Sequence, residues 1–298
     1  MRNPPRPRIH RPGTVRALAV ALAMLASVLL PAIVSPANAL AFPTPRSFVS
    51  NLDLECFRTE AYTPPTGPIL TTHLNPVLAD LPREQIVLGP REQLCVPVAK
   101  NGVIPPQDVL GFIRYVDLSC YRTQGINVNR QLNLRHLNPV LTGLPPTNVV
   151  MTSPQQLCVP VIKNGVVPPD EVLRLVQYID LKCYLIGPQA PLNRPLSLTQ
   201  LNPVLTGLPV SNVNVTYNRQ LCVPVQKGDQ QIPPEVLNIV RWLDLVKYDL
   251  QAPALPVVPL TLTHINPMLA GLPKEQVTLN SPPQLAVPVA KNGVIPPD

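Results

Sequence analysis

One segment recurs four times along this 298-residue chain, and its last copy lacks both cysteines that the other three carry. The shared core reads Asp-Leu-x-Cys-aromatic, then Leu/Ile-Asn-Pro-Val/Met-Leu-x-x-Leu-Pro, then Gln-Leu-Cys-Val-Pro-Val. The asparagines of Asn-Pro fall at Asn75, Asn138, Asn202 and Asn266, at intervals of 63, 64 and 64 residues. A period this long exceeds that of common solenoids and approaches the lower size of a domain that folds alone. The copies are therefore either four beads or four units that lean on each other.

The cysteines are Cys56, Cys120 and Cys183 in the first motif and Cys95, Cys158 and Cys222 in the last. Lys247 and Ala286 stand at the matching positions of copy four. Two cysteines that vanish together were bonded to each other, because the loss of one alone would strand a thiol. Pairing within copies gives 56–95, 120–158 and 183–222 and leaves no orphan. Pairing across copies, 95–120 and 158–183, leaves Cys56 and Cys222 alone. A loop of about 40 residues gains roughly 4 kcal/mol in the chain-entropy model. Zinc would need clustered Cys/His spacings that the chain does not have.

Within a copy, Val116-Asp117-Leu118-Ser119-Cys120 and Leu260-Thr261-Leu262-Thr263-His264 alternate with the period of a half-buried strand. Asn-Pro-Val-Leu-x-x-Leu-Pro predicts one helical turn with Asn as cap and Pro at its first position. A further strand, such as Val277-Thr278-Leu279, is expected to pass through a Pro turn into the Gln-Leu-Cys-Val-Pro-Val strand. Asn101-Gly102, Asn164-Gly165 and Asn292-Gly293 supply tight turns with positive φ. Between copies, Val172, Leu175, Val176 and Ile179 follow a helical spacing after Pro169, with Asp170 and Glu171 in the first turn. The resulting fold class is mainly β, α+β in detail: four tandem small disulfide-bearing β units joined by short helical or extended linkers. The expected divisions are a signal peptide over 1–39 and units over 40–104, 105–167, 168–232 and 233–298, the last without cysteines. The fourth unit is expected to survive without its bridge by leaning on the third, so that 180–298 folds and 244–298 alone does not.

The signal peptide is read from five arginines without an acid in residues 2–16, an apolar run from Ala17 to Val34 and a cleavage motif at Ala37-Asn38-Ala39. Cleavage near Ala39 leaves no second apolar run, hence no membrane span. It also removes five of the 24 basic residues, so that 19 face 17 acids. No basic stripe survives for nucleic acid. Even cysteine count and signal together place the thiols in an oxidising, extracellular compartment.

Few residues suggest chemistry. His73, His136 and His264 precede Leu/Ile-Asn-Pro, with Gln200 in copy three. They are weak candidates for a repeated binding position, set against polar strand-end residues satisfied by hydrogen bonds. Tyr121, Tyr184 and Tyr248 follow the first cysteine position, with Phe57 in copy one. They are weak candidates for stacking on sugar or peptide, set against a cover over the disulfide. No nucleophile–base order, metal motif, phosphate loop or paired catalytic carboxylates occur.

Asp117-Leu118-Ser119-Cys120-Tyr121 with Gln156-Leu157-Cys158-Val159-Pro160-Val161-Ile162-Lys163-Asn164-Gly165 resembles a repeat domain of unknown function found in secreted bacterial proteins. The resemblance covers the mature chain four times over and implies an extracytoplasmic β-rich module with no assigned activity. Copy four departs from it at both cysteines. The sequence thus points to a secreted, noncatalytic scaffold or binding module, with no cofactor, no metal, and an extracellular or cell-envelope partner of unspecified nature. A protease inhibitor with disulfide-locked loops, and an enzyme with an unrecognised site, are the rival readings.

Overall fold

The computed structural model describes residues 41–298, with backbone alone at 281–283. The expected signal segment lies outside the described residues. Copy one contributes α1 (Pro45–Asn51), β1 (Leu54–Arg58), β2 (Ile69–His73), β3 (Glu84–Ile86) and β4 (Arg91–Lys100). Copy two contributes α2 (Gln107–Ile113), β5 (Leu118–Arg122), β6 (Arg130–His136) and β7 (Thr147–Lys163). Copy three contributes α3 (Asp170–Val176), β8 (Leu181–Gly187), β9 (Pro191–Gln200) and β10 (Ser211–Lys227). Copy four contributes α4 (Pro234–Val240), β11 (Leu245–Gln251), β12 (Val258–His264) and β13 (Glu275–Lys291).

The first and last strands of the copies close a ring. In order, β1, β4, β5, β7, β8, β10, β11 and β13 each pair antiparallel with the next, and β13 pairs back with β1. This is an eight-stranded barrel, a size at which side chains fill the interior. The register repeats at every joint between copies: Cys95 opposes Leu118, Cys158 opposes Leu181, Cys222 opposes Leu245, and Ala286 opposes Leu54.

The second strand of each copy forms an arm. Each arm pairs with its own copy and then with the end of the long strand two copies away: β2 with β10, β6 with β13, β9 with β4, and β12 with β7. The prolines of Val-Pro-Val sit where the long strand changes partners. Pro97, Pro160, Pro224 and Pro288 have no N–H to give, but their carbonyls accept from Leu201, Ile265, Leu74 and Leu137 at the ends of the arms. The described residues belong to one compact unit, so the four copies of the motif are not separate beads. The expected divisions at 104/105, 167/168 and 232/233 fall in the irregular segments ahead of α2, α3 and α4, where no separate core begins. Copy four leans on all three others rather than on the third alone.

The linkers are helical. Pro106, Pro169 and Pro233 stand at the N-caps, with acids in each first turn that favour the helix dipole. Their apolar faces, together with Phe48 and Val49 of α1, pack on Leu54, Leu118, Leu181 and Leu245 and close one end of the barrel. Three further apolar clusters lie between the barrel wall and the arms, as where Phe57 and Val96 meet Leu260 and Leu262. One local expectation is corrected: β7 runs unbroken through Pro154, and β10 likewise continues across the corresponding residues. A bulge replaces the turn at Pro154 and accommodates its missing donor. Only copy one breaks there, into β3 and β4.

Candidate functional site at the open end of the barrel

The three bridges, Cys56–Cys95, Cys120–Cys158 and Cys183–Cys222, join residues directly opposed on neighbouring strands of one copy. They lie in the lumen, where Cys95 Sγ is 3.6 Å from Cys120 Sγ and Cys158 Sγ is 3.8 Å from Cys183 Sγ. Bridges of this kind form in an oxidising compartment. In copy four Lys247 opposes Ala286 at the same level. The Lys247 stem crosses the lumen, and its ammonium donates to Gln93 Oε1 and Gln156 Oε1, both at 2.8 Å. It also lies 3.7 Å from Cys120 Sγ and 3.9 Å from Cys158 Sγ. A long residue opposite a small one thus fills the space of the missing bridge. Burial pushes the Lys247 ammonium down to about 7, with Glu92 pulling the other way.

Two residues before the second cysteine position, Gln93, Gln156, Gln220 and Gln284 form a ring of carboxamides above the bridges. They floor a cavity of about 620 Å³ at the end of the barrel opposite the helices, with Arg58 and Arg122 at its rim. Gln93 donates to Gln284 Oε1 at 2.7 Å, and Gln284 donates to Asp249 at 2.8 Å. Gln156 donates to Glu92 at 2.7 Å, and the Arg122 guanidinium holds the same carboxylate. Gln220 Oε1 is buried and has no hydrogen-bond partner among the described residues. Although the Gln-Leu-Cys motif is plain in the sequence, its glutamine is not singled out there. The available signal was its period-2 spacing from a cysteine, which puts both on one face of a strand.

The six His and Tyr candidates lie elsewhere, buried between barrel wall and arms. They pair with each other across copies: His73 with Tyr184 at 2.8 Å, His136 with Tyr248 at 3.1 Å, and Tyr121 with His264 at 3.1 Å. Glu275 joins the last pair and also holds the buried Arg91. The two departures from the pattern meet: Gln200 belongs to the arm that faces copy one, where Phe57 has no hydroxyl. Gln200 donates instead to Glu55 at 2.6 Å. Burial pushes His73 and His136 down to about 4 and Glu55 up to about 7.

A second set of buried groups ties the copies together. The Asp of each Asp-Leu-x-Cys motif pairs with the Lys of its own copy: Asp53 with Lys100, Asp117 with Lys163, Asp180 with Lys227, and Asp244 with Lys291. The Asn of each Asn-Pro caps its own turn through Oδ1 and donates through Nδ2 to the Asp of the preceding copy. Asn138 thus reaches Asp53, Asn202 Asp117 and Asn266 Asp180, while Asn75 reaches around the ring to Asp244. Burial raises these carboxyls and lowers the lysines, against the pull of each partner. These knots serve the framework: their lysine and aspartate side chains are almost wholly buried.

Comparison with protein-family models, curated proteins and solved structures finds no match to this chain. Among the described residues no helix is long and apolar enough to cross a membrane.

Proposed function

We propose that the chain is a secreted, noncatalytic binding module and that the open end of the barrel is its ligand site. The carrying observation is the cavity of about 620 Å³ floored by four carboxamides. Carboxamides offer both donors and acceptors at fixed positions, which suits recognition of a polar molecule. The mouth presents amides, the Glu92–Arg122 and Arg91–Glu275 ion pairs and the guanidinium of Arg58 rather than a nucleophile beside a base, which supports a binding role. The signal-like leader, the bridges and the resemblance to a secreted repeat domain support action outside the cell, on an extracellular or cell-envelope partner.

The test is a ligand-observed NMR screen of polar small molecules against the signal-free, fully bridged chain and against Ala61→Trp. Ala61 is exposed and lines the opening, so the indole narrows the mouth. Hits that bind the parent and are lost in Ala61→Trp support the reading. An empty screen, or hits that survive the substitution, refutes it.

A further inference from the structure

We infer that the six lumen sulfurs form a single row along which bridges exchange inside the folded barrel, so that the protein corrects its own disulfide pairing. The row is read from contacts between copies. Cys56 bonds Cys95, whose Sγ lies 3.6 Å from Cys120 Sγ; Cys120 bonds Cys158, whose Sγ lies 3.8 Å from Cys183 Sγ; and Cys183 bonds Cys222. Each sulfur thus meets the next, by bond or by contact, from one end of the row to the other. None of the six cysteines is more than 1 % exposed. Sulfurs so deeply buried are closed to a second protein, whereas a neighbouring sulfur is already in place.

Exchange needs a free thiol and no net oxidant. In a chain mispaired as 95–120 and 158–183, Cys56 and Cys222 hold thiols. The Cys56 thiolate attacks Cys95 Sγ, which it directly opposes. The 56–95 bond forms, the 95–120 bond breaks, and the electron pair leaves on Cys120. Cys120 then attacks Cys158; the 120–158 bond forms, the 158–183 bond breaks, and the pair leaves on Cys183. The proton lost at Cys56 is regained at Cys183. Cys183 and Cys222 now oppose each other as thiols. Closing them is the one oxidation, and a disulfide oxidant of the compartment takes the two electrons and two protons to become a dithiol. Lys247 lies at the middle of the row, 3.7 Å from Cys120 Sγ and 3.9 Å from Cys158 Sγ, where its ammonium favours a thiolate on either. Held at about 7, it takes or returns a proton near neutrality.

Copy four gives the row its ends. Cys222 opposes Leu245 and Ala286 opposes Leu54, as Cys95 opposes Leu118. Cysteines at 247 and 286 would therefore neighbour Cys222 and Cys56 and close the row into a ring. A ring of eight sulfurs has two complete pairings of neighbours, one within copies and one across them. A row of six has one, because any bridge across a joint leaves two sulfurs without a neighbour to pair with. Lys247 and Ala286 thus leave exchange a single end point, the three bridges observed.

Two variants of the signal-free chain test this. In each, exchange is quenched with acid, the chain is unfolded and alkylated, and thiols and bridges are mapped by peptide mass spectrometry. Cys56→Ser leaves five cysteines and one thiol, and is held without denaturant, its fold checked by amide dispersion. Each step along the row moves the thiol two places. The thiol is therefore expected at Cys95, Cys158 and Cys222, each with at least about a tenth of the total, and not at Cys120 or Cys183. A thiol fixed at Cys95 overturns the inference, as does one spread over all five positions, the mark of scrambling through the unfolded chain. Lys247→Cys with Ala286→Cys closes the ring and decides the matter should Cys56→Ser not fold. Refolded in a mixture of reduced and oxidised glutathione, it is expected to yield both complete sets, the within-copy one and 95–120, 158–183, 222–247 and 286–56. The within-copy set alone would show that sulfurs do not exchange across the joints, and would overturn the inference.

Discussion

Glu55 is fully buried, with one hydrogen bond from Gln200 and no cation beside it. Its Oε1 has no partner, and neither has Gln200 Oε1. Two acceptors in one buried pair call for one more proton. Burial raises the Glu55 carboxyl from 4.5 to about 7, with the Gln200 bond pulling weakly the other way. A carboxyl whose pKa is raised on folding holds its proton more tightly folded than unfolded. Stability therefore falls as pH rises from 4.5 through 7, and the loss is complete above that. Each pH unit in that window costs about 1.4 kcal/mol, so the loss is about 3 kcal/mol. Glu55→Gln keeps the shape, removes the charge and supplies an N–H for Gln200 Oε1. We expect it to be more stable than the parent by about 3 kcal/mol at pH 8 and nearly equal at pH 4.5. The assay is urea unfolding with bridges intact at both pH values. Asp53, Asp244, His73 and His136 also titrate abnormally, but they are common to both proteins and cancel in the difference. A gain that does not change with pH, or a variant less stable at pH 8, would refute the reasoning.

His136 is depressed to about 4 by burial, helped by the Lys100 charge, so its share of stability is lost as pH falls from 6.5 through 4. His136→Gln should cost about 1 kcal/mol at pH 7.5, through the Tyr248 hydroxyl, yet remove up to about 3 kcal/mol of acid sensitivity, read by urea titration at pH 7.5 and 4.5. Lys247→Cys with Ala286→Cys should form a fourth bridge, because the two residues oppose each other as the other pairs do; peptide mapping that finds both thiols free would contradict this. Asn202→Ala should cost about 2–3 kcal/mol, since it strips a donor from buried Asp117, and an unchanged urea midpoint would show the knot to be unimportant. Residues 180–298 alone should not fold, contrary to the reading from sequence, because β9 and β12 lose β4 and β7 as partners. Dispersed amide signals from that fragment would show that two copies suffice.

Local structure was legible wherever the signal is local. Asn101, Asn164 and Asn292 take φ near +50° and are each followed by a glycine near +72°, as Asn-Gly turns demand. The helical spacing after Pro169 gives α3, and each Asn-Pro caps a turn. α1 was missed although Thr44-Pro45 is a sound start signal, and the Thr44 hydroxyl does accept from the Ser47 N–H. Ring closure was not legible, because identical motifs can pair in any order and each partner lies a whole copy or more away. The one trace was a coincidence of exceptions. The copy without a histidine reaches the copy without a tyrosine, and two departures that look unrelated become evidence of contact once they are paired.

The joint between β1 and β13 has a consequence for how the chain is made. β1 emerges first from synthesis, yet one of its edges finds no partner until residues 280–286 arrive. Arg46 likewise waits for the Pro297 carbonyl. Until then the growing chain carries an open strand edge and an unsealed lumen, the features that invite wrong partners. A protein built this way gains little from folding as it is synthesised and much from staying extended until it is whole. Thiols that meet an oxidising compartment only once the chain is whole would form the three bridges in a lumen that is already closed.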